Sequence, residues 1–83
     1  MKAGEVYKKV NNNWTTYVLI VSTKPLRATV IQICEGGPVT LRDHELVVEY
    51  IAEGKERATW ADWAGAVAKL TDRLLAEPAE AME

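Results

Sequence analysis

Few side chains in this 83-residue chain could do covalent or acid–base chemistry, and their spacing does not assemble a reactive site. There is one cysteine, Cys34, and one histidine, His44. A Cys–His nucleophile needs a thiol whose pKa is depressed by a nearby cation or helix N-terminus. Cys34 instead ends the apolar, β-rich run Val30 to Ile33 and reads as a small buried hydrophobe. His44 stands between Asp43 and Glu45, where a solvated turn residue is expected rather than a general base. One residue of each type cannot close a zinc shell. Gly36-Gly37-Pro38 lacks both the Walker lysine and the GxGxxG spacing, and its proline removes a backbone donor that a phosphate loop would use, so it reads as a turn. The expectation is a protein without catalytic residues, metal or cofactor.

The aromatic residues point to binding instead. Three tryptophans and three tyrosines occur without a single phenylalanine. Both types carry a polar atom that wants a partner or water, and both are enriched at binding hot spots. Trp14 has Tyr7 and Tyr17 close by in sequence, and Lys8, Lys9, Lys24 and Arg27 lie near the ends of the same segments. Tyr7, Lys9, Trp14, Tyr17 and Arg27 are therefore the candidate partner-binding set, with Trp60 and Trp63 as a candidate helix interface. An aromatic and basic surface can also stack bases, whereas solvated strand-edge lysines simply discourage aggregation. The net charge of −2 argues against a general nucleic-acid binder. The charge is uneven: residues 1–58 carry eight bases against seven acids, and residues 59–83 carry two against five.

The elements that must position these residues change period near Thr59. Gly4 to Val10 alternates, with Val6 and Val10 on one face and Tyr7 and Lys9 on the other. Asn11-Asn12-Asn13 reads as a hairpin turn, because asparagine tolerates positive φ. Trp14 to Thr23 is rich in β-branched and aromatic residues and is apolar on both faces: Val18 and Ile20 on one, Tyr17, Leu19 and Val21 on the other. Such a strand must be covered on both sides, by a closed barrel or by a helix over one face. A turn at Pro25 leads to a strand from Arg27 to Glu35, with Ala28, Val30, Gln32 and Cys34 sharing a face. Val39 to Arg42 predicts a fourth strand, Asp43 to Glu45 a polar corner, and Leu46 to Ile51 a fifth strand. Residues 53–58 read as a charged linker. Thr59 with Asp62 predicts a capping box for a helix over 59–77, whose apolar stripe runs through Trp60, Trp63, Ala64, Val67, Leu70, Thr71 and Leu74. Pro78 should stop it, leaving an acidic flexible tail at 78–83.

These spacings predict a single compact domain over residues 1–77, of the α+β class and mainly β: a small five-stranded antiparallel barrel or curled sheet followed by one amphipathic helix. Its strand order and spacing over residues 4–52 resemble the Src-homology-3-like small β-barrel. That barrel serves many unrelated functions, so the resemblance carries no functional residue across. The longest apolar runs fall far short of the roughly 20 residues of a membrane-spanning helix, and no signal-peptide pattern follows Met1-Lys2, so the expected location is the cytoplasm. The expected role is a small non-enzymatic protein-interaction module. In size and style it resembles accessory proteins of phages and mobile elements, some of which occupy a binding surface on a host machine. A nucleic-acid-binding small barrel is the alternative, and the expected state is a monomer or weak homodimer.

Overall fold

The computed structural model describes residues 1–76. β1 (Val6–Asn11), β2 (Trp14–Thr23), β3 (Leu26–Cys34) and β4 (Val39–Glu45) form an antiparallel meander. α1 (Val48–Ala52) then crosses back to β5 (Glu56–Ala58), which pairs with β1, and α2 (Trp60–Ala76) completes the described chain. The single sheet has the order β4-β3-β2-β1-β5. It does not close, and β4 and β5 are its edges.

Coverage of both sheet faces comes from the two helices. On one face Val18, Ile20, Leu26, Ala28 and Val30 pack under α1 through Ile51, with Leu46 and Tyr50 beside it. On the other, Val6 and Ile31 pack under α2 through Trp63 and Ala66, joined by Tyr17, Leu19, Ile33, Val39, Ala58 and Leu70. The doubly apolar middle of β2 is explained by this arrangement: alternate residues feed two separate cores. Val21 is the exception to its expected face. The β2–β3 register shifts between Ile20 and Ser22, and Val21 is left exposed.

Two expectations fail in the same short stretch. Leu46 to Ile51 is not a strand: residues 46 and 47 are a loop and 48–52 are α1. The run of valines favoured extended backbone by propensity, yet Val47 and Val48 are exposed, whereas Tyr50 and Ile51 of the helix, with Leu46 from the loop before it, roof the first core. The fifth strand comes instead from the expected linker, where Lys8 is registered with Glu56, Tyr7 with Arg57 and Val6 with Ala58. Arg57 is held there by an ion pair to Glu5 at 2.9 Å. The polar corner at Asp43 to Glu45 also proves extended, continuing β4.

The helix start matches its sequence signal. The Asp62 backbone N–H donates to the Thr59 hydroxyl at 3.1 Å, and the Thr59 backbone N–H donates to the Asp62 carboxylate at 2.9 Å. The hydroxyl also reaches that carboxylate at 3.1 Å. The expected last helical residue, Glu77, and the acidic tail lie outside the described residues. The backbone hydrogen bond from Thr59, followed by the one from its side chain, holds the Asp62 carboxyl below its ordinary pKa. Glu5 is lowered likewise, first by the Lys2 backbone N–H and then by the Tyr7 hydroxyl. Groups whose folded pKa is depressed stabilise the fold above the unfolded value, about 4, and that contribution is lost as pH falls through the folded value. The melting temperature is therefore expected to fall on acidification below about pH 4, and Asp62→Asn to flatten that fall. A wild-type melting temperature that stays level down to pH 2 would contradict it.

Candidate binding face

Strand alternation sorts the polar residues onto the two sheet faces in different ways. On the face under α2, charges stand opposite counter-charges: Lys8 is registered with Glu56, and Arg27 with Glu45. Across the other face runs the row Lys9, Thr16, Gln32 and Thr40, one residue from each of four strands, and beyond it the row Asn11, Trp14 and Cys34. α1 is only five residues long and covers just the apolar end of this face. The polar end is left as an open cavity of about 400 Å³ lined by Lys9, Asn11, Trp14, Thr16, Gln32, Tyr50 and Lys55.

The lining is partly fixed and partly free. Lys55 is anchored at the end of α1, donating to the Tyr50 carbonyl at 2.6 Å, with its ammonium 3.6 Å from the Tyr50 ring centroid. That is a C-terminal cap combined with a cation–π contact. Burial pushes its pKa down and the nearby Lys9 charge pushes it further, partly opposed by Glu53. Lys9 lies across Gly54, whose φ is +69°; a Cβ there would meet the Lys9 Cε and Nζ at 3.2 Å. Gly54 thus serves both the turn after α1 and the seat of Lys9. Thr16 is buried and receives a long hydrogen bond from Gln32 Nε2 at 3.5 Å. Trp14, 40% exposed, forms the outer wall.

The structure divides the candidate set read from the sequence. Lys9 and Trp14 meet in the cavity. Tyr7 shares their face, but its hydroxyl donates to Glu5 at 2.9 Å and its ring faces Arg57, so it is committed to holding β1 and β5. Tyr17 is registered with Lys8 rather than Lys9 and packs in the core under α2. Arg27 lies at the opposite end of β3, seven residues from the Cys34 that pairs with Trp14, or about 23 Å along the strand. Trp63 is buried on the sheet, whereas Trp60 is 58% exposed, and Val67, Leu74 and Leu75 of α2 are exposed as well. Asn11, Thr16, Gln32, Tyr50 and Lys55 were missed by sequence reasoning. The signal that pointed to them was Gln32, a polar residue on the otherwise apolar face of its strand.

Cys34 and His44 stand well apart. Cys34 is half-buried, less enclosed than expected, and His44 is exposed on β4. His44 pairs with Ala28, six residues down β3 from Cys34, which separates the two by about 20 Å. Among the described residues no group of His, Cys, Asp and Glu could hold a metal ion, and no helix is long and apolar enough to cross a membrane. No family, no curated protein and no solved structure matches this chain.

Proposed function

We propose that the protein is a non-enzymatic protein-interaction module that binds its partner on the open half of the sheet face bearing Trp14. The observation that carries this reading is the unfinished cover of that face. A sheet in a small domain buries what it can, and here α1 stops short of a row of polar side chains with a tryptophan at its rim. Such a concave, mixed polar and aromatic surface is what an anchored interface uses. The return of β5 to pair with β1 supports the resemblance to the Src-homology-3-like barrel at the level of topology. A phage or mobile-element accessory protein acting on a host protein in the cytoplasm fits the size and style of the domain. The molecule is a monomer or weak homodimer, and the exposed Trp60, Leu74 and Leu75 of α2 are where a second copy would meet it.

A second reading, a nucleic-acid-binding surface, is favoured by the juxtaposition of Trp14 with Lys9 and Lys55. The two separate in one experiment. Immobilised protein is expected to capture one protein from lysate, with retention that survives 0.5 M salt and is lost in Trp14→Ala. Retention of nucleic acid that falls steeply with salt would instead support the second reading.

A further inference from the structure

We propose that the cavity beside Trp14 takes an acidic segment of the partner protein, one of whose carboxylates is seated by the ammonium groups of Lys9 and Lys55. This deepens the reading of the face as a protein-binding surface and rests on it. Both lysines line the same cavity, and neither makes an ion pair among the described residues. Glu5, just before β1, is taken up by Arg57, Tyr7 and the N-terminal amine, and Glu53, two residues before Lys55, acts on it through its charge without an ion pair. On the opposite face Lys8 and Arg27 are registered with Glu56 and Glu45, whereas Lys9 is registered with the neutral Thr16. Burial, and then the Lys9 charge, raise the cost of charging Lys55. An anion placed between the two ammonium groups offsets that cost.

The remaining lining suits a peptide rather than a bare ion. Asn11 and Gln32 offer amide groups that can donate to and accept from a peptide backbone. Trp14 supplies a rigid wall for the aliphatic part of a glutamate or for its neighbour. The cavity, at about 400 Å³, is far larger than one carboxylate needs.

The test is a titration of the isotope-labelled chain, followed by amide and indole resonances, with hexaglutamate, hexaglutamine, inorganic phosphate and oligothymidylate at constant ionic strength. Hexaglutamate should shift the Asn11 and Gln32 side-chain amides and the Trp14 indole, and hexaglutamine should not. Lys9→Gln should weaken hexaglutamate by about tenfold, as expected for losing a charge-assisted contact, and Lys9→Arg should restore most of it. Lys8→Gln makes the same change of net charge one residue away on the other face, and should leave binding within about twofold. An intact amide spectrum of Lys9→Gln keeps the comparison independent of folding.

Equal binding of hexaglutamine, or equal losses in Lys8→Gln and Lys9→Gln, would overturn the proposal. Phosphate binding as tightly as hexaglutamate would replace the peptide by an isolated anion, and tighter oligothymidylate would replace it by nucleic acid. If hexaglutamate fails while Trp14→Ala still abolishes protein capture, the acidic chemistry falls and the binding face stands. If both fail, the face itself falls.

Discussion

Trp63→Ala is expected to remove about 3–5 kcal/mol of stability, while Trp60→Ala, three residues earlier on the same helix, changes stability by no more than about 0.5 kcal/mol. The two side chains have the same chemistry and helical context. They differ in what they touch. Trp63 is 8% exposed and packs with Val6, Ile31 and Ala66 in the core between α2 and the sheet, and Trp60 is 58% exposed. A domain of this length has a total stability of roughly 4–12 kcal/mol, so emptying the Trp63 site consumes much or all of it. At roughly 4–8 °C per kcal/mol for a chain of this size, thermal melting should drop by at least about 12 °C. A Trp63→Ala variant melting within a degree or two of the parent would mean that α2 is not holding the second core together.

That core and its helix were legible because several signals agreed there. The Thr59–Asp62 box and, except at Val21, the alternation of β2 were met, but of the expected stripe only Trp63 and Leu70 pack on the sheet, joined by Ala66, while Trp60, Ala64, Val67, Thr71 and Leu74 are exposed. Leu46 to Ile51 went wrong because its local propensity and its tertiary role conflict. Extended backbone would alternate Val47 with Leu46 across two faces, but the first core needs Leu46, Tyr50 and Ile51 together as a lid. β5 was unreadable for the opposite reason. Glu56-Arg57-Ala58 has no apolar alternation, and it is a strand because Gly54 turns the chain and Arg57 reaches Glu5.

The binding face was half legible for a geometric reason. Lys9 and Trp14 could be grouped from sequence because a tight turn at Asn12, whose φ is 52°, fixes the register of the first hairpin. Proximity in sequence then misplaced Tyr17, since neighbours on a strand point to opposite faces and only parity tells which. Lys55 and Tyr50 arrive through α1 and the turn after it, elements whose course depends on the sheet already being formed. The asymmetry of charge is likewise invisible in composition. Lys8 and Lys9 are adjacent and identical, yet one is registered with Glu56 and the other with Thr16.

Trp14→Ala is expected to abolish partner capture, at a cost of about 2 kcal/mol or more, while leaving the melting temperature nearly unchanged. The two effects separate because of where the residue sits. Trp14 belongs to neither core, and at 40% exposure it already spends much of its surface in water, so its removal empties no enclosed site. At an interface the same ring would be covered, beside Lys9 and Lys55, in the part of its sheet face that α1 leaves open. A central aromatic anchor surrounded by polar groups carries a disproportionate share of binding energy. The lysines act differently: seating a carboxylate in the cavity, they add a charge-assisted contact and also speed the salt-dependent encounter. Lys9→Gln should therefore slow capture at low salt, with Trp14→Ala accelerating dissociation at every salt concentration. Undiminished capture by a folded Trp14→Ala protein would remove this face from consideration and transfer the search to α2, where Trp60, Val67, Leu74 and Leu75 are exposed.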